Sequence, residues 1–160
     1  MYEFLEYQVA DVMTYRPVTV TRRTPLVEVE QIFARRDFNC LPVCEDGVLL
    51  GIVTKLDLLR AFAFTSHLVP PYHEIMHWPT ERIMTPNPAT VRPDTPVTRV
   101  LQLMVDTRYR ALPVVIGALL IGVVARQDVV WALDRAAAGQ GPRRVAAVGE
   151  RDHGRAHLHP

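Results

Sequence analysis

His73-Glu74-Ile75-Met76-His77 has the H-E-x-x-H spacing, in which two histidines on one helical face bind zinc and the glutamate serves as general base. That chemistry needs a long, anchored helix and a third ligand. Pro70-Pro71 before the motif and Pro79 after it leave room for barely two turns. Glu81 is too near to be the third ligand, and Glu150, His153, His157 and His159 sit in a stretch with the composition of a disordered tail. The flanks fit a short linker helix with Ile75 and Met76 turned to a core and the histidines in water. No metal site is expected, and a zinc-dependent hydrolase through His73, Glu74 and His77 stands only as an alternative reading. Cys40 and Cys44 are the other reactive pair. Four residues apart on one strand, they would lie about 13 Å apart at roughly 3.3 Å per residue, too far for a disulfide. Without a C-x-x-C spacing they read as free thiols of a reducing compartment.

Composition removes other classes of function. Eighteen basic against 17 acidic side chains give a net charge of +1, which offers no electrostatic footprint for nucleic acid. The longest apolar run, Ala111 to Ala125, is broken by Pro113, Gly117 and Gly122 and is shorter than the roughly 20 residues that span a bilayer. It reads as two buried strands and a turn, with no membrane partner. Met1 to Ala10 carries Glu3 and Glu6 and lacks the pattern of a secretory signal, so a cytoplasmic location is expected. At 160 residues and 49% hydrophobic, the chain can bury one sizeable core or two small packed halves.

The elements that position these residues are duplicated. Sliding the chain by 71 residues lays Met13-Thr14 on Met84-Thr85, Pro17 on Pro88, Thr24-Pro25 on Thr95-Pro96, Leu41-Pro42-Val43 on Leu112-Pro113-Val114, Gly51 on Gly122 and Asp57 on Asp128. One supersecondary unit is used twice. Within it, the β-branched stretch Val18 to Val20 reads as a strand. Thr24-Pro25 then reads as a helix start, with Thr at the cap and Pro at the first helical position. Leu26, Val29, Ile32 and Phe33 follow at helical spacing, as do Val97, Val100, Leu101 and Met104 in the second copy. Leu41 to Cys44, the turn Glu45-Asp46-Gly47 and Val48 to Val53 form a hairpin, repeated around Ile116-Gly117-Ala118. Short helices, Lys55 to Phe62 and Arg126 to Leu133, close the units. The fold class is α/β (α+β), two tandem β-α-β-β-α units packed with pseudo-two-fold symmetry.

This order, spacing and duplication resemble the cystathionine-beta-synthase (CBS) domain, which occurs as tandem pairs. The resemblance rests on Val12-Met13-Thr14, Pro17 to Val20, Leu41-Pro42-Val43 and Gly51 to Asp57 with their second-copy equivalents, and covers about Glu6 to Leu133. It implies motif 1 with its lead-in over 1–62, a linker over 63–79, motif 2 over 80–135 and a flexible tail over 136–160. It also implies two clefts between the copies and a homodimer built as a flat disc.

The ligands that the resemblance implies are adenosine compounds: AMP, ADP, ATP or S-adenosylmethionine. Gly51 would let a ligand approach the strand, Thr54 would contact phosphate at a helix N-terminus, and Asp57 would accept hydrogen bonds from the two ribose hydroxyls. The base would lie against Arg16-Pro17-Val18 and a wall of Cys40, Leu41 and Pro42. Asp128 repeats the acid, while Ala125 replaces the threonine. Arg110, two residues before Leu112-Pro113 where Asn39 stands in the first copy, and Arg126 are candidate phosphate ligands; Arg108 and Lys55 lie near. Thr54-x-x-Asp57 equally has the form of a capping box. The expected protein is a stand-alone regulatory module without catalytic residues or cofactor, which binds an adenine nucleotide and signals to an unidentified regulated protein. A purely structural dimerisation module is the alternative.

Overall fold

The computed structural model describes residues 1–63 and 72–144. Its framework is a pair of hairpins. β2 (Leu41–Glu45) and β3 (Val48–Val53) pair antiparallel, as do β5 (Ala111–Ile116) and β6 (Leu119–Ala125). Asp46 and Gly47 take φ of +50° and +79°, the backbone of a two-residue primed turn whose twist suits the strands it joins. Both hairpins shift register at the same place, between Val43 and Cys44 and between Val114 and Val115. The two hairpins join at their turns, where Val48 pairs with Leu119, into one six-stranded sheet.

The remaining strands are exchanged between copies. β1 (Thr14–Tyr15), which leads into the first copy, pairs with β6 of the second; β4 (Thr85–Pro86), which leads into the second, pairs with β3 of the first. Thr14 stands opposite Val123 and Thr85 opposite Ile52, positions related by the 71-residue repeat. This close crossing explains two glycines. A Cβ on Gly51 would lie 2.6 Å from the Thr85 carbonyl oxygen, and one on Gly122 would lie 2.5 Å from that of Thr14. Their bare Cα atoms admit the other copy's backbone, not a ligand as the sequence suggests.

Cores follow the same exchange. α2 (Leu26–Arg35) and α3 (Lys55–Phe62) bury Leu26, Val29, Phe33 and Ala61 with Leu41, Val43 and Val53, and Ile75 and Met76 of α4 (Tyr72–Met76) complete that cluster. α5 (Val97–Thr107) and α6 (Arg126–Ala137) bury Val97, Val100, Met104, Val129, Ala132 and Ala136, and that cluster is completed by Phe4, Tyr7 and Val9 from the chain's start. Phe4 lies in a 3-10 helix over Tyr2–Glu6 and Val9 opens α1 (Val9–Val12).

Four local expectations change. Val18 to Val20 is reduced to a single parallel bridge, Val20 to Val43, because Pro17 offers no donor and the chain turns at Thr21, whose N–H bonds Thr24 Oγ1 at 3.0 Å. Thr24 therefore closes a turn and does not cap α2. Pro25 is the cap residue, held extended at φ −68° and ψ 148°, and Thr95 with Pro96 repeats the arrangement, Thr95 Oγ1 accepting the Arg92 N–H at 2.9 Å. α6 runs past Leu133 to Ala137 because Ala132 and Ala136, four apart, both bury, and Gly139 at φ +74° then turns the chain. The stretch from Ala136, expected to be loose, is anchored as far as Arg144: Tyr7 Oη donates to the Gln140 carbonyl at 2.9 Å and Arg144 Nη2 to that of Glu6 at 2.9 Å. The rest of the tail, with Glu150, His153, His157 and His159, lies outside the described residues, as do Pro70 and Pro71. Among the described residues no helix is long and apolar enough to cross a membrane.

Candidate functional site

Each copy brings its conserved-spacing acid to the first turn of its closing helix. At α3 the capping box is fully made. Asp57 Oδ2 accepts the Thr54 N–H at 2.9 Å and the Thr54 hydroxyl at 3.0 Å, while the Asp57 N–H donates to Thr54 Oγ1 at 3.2 Å. Asp57 is only 5% exposed. Its second oxygen, Oδ1, faces outward, 3.4 Å from Thr85 Oγ1 of the other copy and 3.9 Å from the Arg60 guanidinium. The Thr54 hydroxyl is thus committed to the helix start.

α6 lacks that hydroxyl, so the second acid is held less tightly. Asp128 Oδ2 accepts the Ala125 N–H at 2.7 Å. Burial pushes its carboxyl above the ordinary range, and the Ala125 bond partly opposes that rise. Arg126, expected on phosphate, spans two backbone carbonyls instead: its Nε donates to Tyr109 at 3.1 Å and its Nη2 to Arg108 at 2.6 Å. This brace is needed because Arg108 ends α5 in the left-handed region at φ +61°, leaving the following carbonyls without helical partners. The Arg126 N–H bonds the Arg110 carbonyl at 3.0 Å, so exposed Arg110 stands beside the start of α6. Lys55 lies 3.6 Å from Asp37.

The residues expected to wall the base divide differently. Arg16, at φ +47°, donates its N–H to the Ile121 carbonyl at 3.3 Å, so Arg16-Pro17-Val18 runs from the second copy's hairpin back to the first copy's core. The wall beside Asp57 is instead Ile83 to Pro86, which the exchange of lead-ins brings there. Leu41 is completely buried in the first copy's core, which removes its side chain from any cleft, and Pro42 is buried with its carbonyl accepting the Val20 N–H at 3.0 Å. Asn39 is half-buried. Cys40 packs with Ala111 and Ala125, a small-residue contact between copies that leads to Asp128. Its burial pushes the thiol up to about 11, and Cys44 is raised by the same cause.

A cavity of about 470 Å³ opens beside Asp57, lined by Arg60, Trp78, Arg82 and Ile83 to Pro86. Sequence reasoning passed over Arg60, Trp78 and Arg82. The signal was the four-residue spacing of Trp78 and Arg82, which the structure stacks, the guanidinium carbon 3.6 Å from the ring centroid. Nearby, α4 exposes His73 and buries Ile75 and Met76, and His77 just past its end is exposed too, as the sequence reading expects. The helix has five residues, and His77 Nδ1 donates to the His73 carbonyl at 2.7 Å. Among the described residues no group of three or more potential metal ligands converges.

Two copies of one strand-helix-hairpin-helix unit, sharing one sheet and presenting matched acids at matched helix starts, define a tandem-motif module with clefts between its halves. The CBS domain family model matches residues 9–64 and 81–135, and the chain belongs to that family. It is similar to the CBS domain-containing protein YhcV of Bacillus subtilis, at 31% identity over 121 residues, covering 75% of this chain and 81% of that protein. Among solved structures, CBSX2 of Arabidopsis thaliana in complex with AMP superposes with a TM-score of 0.71 at 30% identity, covering 82% of this chain and 98% of that one. The CBS domain pair of protein MJ0100, in complex with 5-methylthioadenosine and S-adenosyl-L-methionine, gives 0.67 at 26% identity over 79% of this chain and 99% of that one. Other curated relatives are much longer: the chain spans only 13% of the A-adding tRNA nucleotidyltransferase of Geobacter sulfurreducens, at 26% identity over 121 residues, which is 76% of this chain.

Proposed function

We propose that this chain is a regulatory module that binds an adenosine ligand (AMP, ADP, ATP or S-adenosylmethionine) between its two motifs, transmits the binding to a partner protein, and carries no catalytic group of its own. The observation that supports this most is the placing of Asp57 and Asp128 at equivalent helix starts in a chain that superposes on an AMP complex over most of its length. A carboxylate there can accept both ribose hydroxyls at once. Asp128 is the better placed of the two. Its carboxylate keeps one backbone bond where that of Asp57 accepts three hydrogen bonds, and Arg110 stands beside it for an anionic group. Signalling follows as a population shift, because a ligand touching both copies favours one relative arrangement of them. A homodimer fits the matched exposed apolar residues Leu59 of α3 and Val130 of α6, flanked by Leu56 and Trp131.

A structural dimerisation module is the second reading, and the completed capping box at Asp57 favours it for that copy. Calorimetry with AMP, ADP, ATP and S-adenosylmethionine on the native chain and on Asp128→Asn separates the two. Binding that weakens in the variant supports the sensor. No binding of any of the four, with a dimer in sedimentation, supports the structural module.

A further inference from the structure

Where the first copy leaves a cavity, the second packs two rings. By the 71-residue repeat, Arg60 and Trp78, which line the cavity beside Asp57, correspond to Trp131 and Tyr7. Tyr7 and Trp131 meet edge to face at 6.3 Å, and the Arg135 guanidinium lies 4.8 Å from the Trp131 centroid. Tyr7 is 1% exposed, whereas Trp78 is half-buried. The backbone bonds that dock the two lead-ins do not account for this, because they repeat. Val97 N–H donates to the Tyr7 carbonyl at 2.9 Å as Leu26 N–H does to that of Trp78 at 3.0 Å, and Val9 N–H donates to Thr95 as Thr80 N–H does to Thr24, both at 2.9 Å. The second copy has a strap in addition. Gly139, at φ +74°, turns the chain at the end of α6, and Gln140 to Arg144 return to the lead-in. There Tyr7 Oη donates to the Gln140 carbonyl at 2.9 Å, Arg144 Nη2 donates to that of Glu6 at 2.9 Å, and Arg144 lies 4.0 Å from Asp11.

We propose that Gly139 to Arg144 are a latch on the second cleft: the strap holds Tyr7 against Trp131, and a ligand at Asp128 binds in competition with that closed arrangement. The inference rests on the adenosine reading above and adds its regulation. The Tyr7 hydroxyl is the link between strap and ring pair, since its bond to Gln140 fixes the ring that meets Trp131. Trp78, its mate, has no hydroxyl with which to be held in this way. The latch is weak enough to yield. Gln140 and Arg144 are exposed, so water can take over their hydrogen bonds, and the Arg144 to Asp11 pair is long and at the surface. Asp128 is half-buried, so a ligand can reach its carboxylate before the rings part. α6 connects the two events, because it starts at the ligand's acid and ends at the strap. Coupling of this kind is reciprocal: whatever loosens the strap tightens the ligand, and the ligand loosens the strap by the same factor.

Hydrogen exchange and calorimetry on the full chain test the latch, with AMP and S-adenosylmethionine as probes. Tyr7→Phe removes the hydroxyl and keeps the ring, and Arg144→Gln removes the charge from the end of the strap. Without ligand, each variant should exchange the lead-in amides from Tyr7 to Met13 about fivefold faster than the native chain. Each should also bind a probe about fivefold tighter, and the gain should disappear when Asp128→Asn is added. Binding seen in the variants and not in the native chain supports the latch most strongly. Exchange unchanged in both variants overturns it whether or not a probe binds. A probe that binds the native chain and both variants equally, or the variants more weakly, overturns the latch and leaves the adenosine reading standing. Binding of neither probe to the native chain or to either variant overturns the adenosine reading, and with it the latch, even where exchange is faster.

Discussion

Thr85 Oγ1 of the second motif lies 3.4 Å from Asp57 Oδ1 of the first, so the acid that starts one copy's closing helix reads the position of the other copy's lead-in. The remaining Asp57 oxygen is internal to its own helix start. One carboxylate thus combines a stabilising task with a contact across the repeat, and the two can be separated by substitution.

Thr54→Ala removes the acceptor for the Asp57 N–H and one donor to Oδ2, and loss of about 1 kcal/mol is expected in urea unfolding. Thr54→Ser should restore most of it. Ala125→Thr, which installs the missing hydroxyl in the second copy, should raise the unfolding midpoint.

Gly51→Ala and Gly122→Ala each drive a methyl into a carbonyl oxygen of the opposite lead-in, and a loss of about 1–3 kcal/mol is expected for each. Gly117→Ala is the contrast. Nothing lies within 4 Å of its added methyl, so only the strain of its φ of +61° remains, and equal losses at all three positions would refute the close-approach account.

Asp128 titrates above its ordinary value because burial penalises its charge. Below the usual carboxylate range the group is protonated whether folded or unfolded, and its effect on stability is fully favourable. As pH rises through the higher folded value, the native chain must carry a disfavoured charge and stability falls. Asp128→Asn should flatten that part of the stability curve, measured by thermal melts across the acid range, and an unchanged slope would show that another group sets it.

Cys40 and Cys44 are buried and their thiols are raised, Cys40 to about 11. Ellman's reagent at pH 8 should leave both unreacted in the folded chain and titrate both in guanidinium. Fast reaction of Cys40 in the native state would mean that the contact with Ala111 and Ala125 opens readily.

Features fixed by near neighbours in the chain were legible before the structure was known. The Asp46-Gly47 turn, α3 from Lys55 to Phe62, and the inward Ile75 and Met76 of α4 each follow from a few adjacent residues. The exchange of lead-ins was not, because Thr14 and Thr85 follow a methionine at equivalent places of the repeat and nothing local says which hairpin each will join. That one gap displaced the wall of the Asp57 cleft from Arg16-Pro17-Val18 to Ile83 to Pro86. Arg126 misled for a related reason: its carbonyl partners, Tyr109 and Arg108, are 17 and 18 residues away. The acids themselves, Asp57 and Asp128, needed only the repeat.

Because Phe4, Tyr7 and Val9 belong to the second copy's core while α4 belongs to the first, the order of synthesis and the order of completion differ. The first motif can close as soon as Met84 to Pro86 have left the ribosome. The opening residues must wait, apolar and unsheltered, until α6 emerges some 130 residues later to receive them. A chain released just after Pro86 would therefore carry a finished first core at one end and an exposed apolar segment at the other, the kind of surface that quality-control machinery recognises.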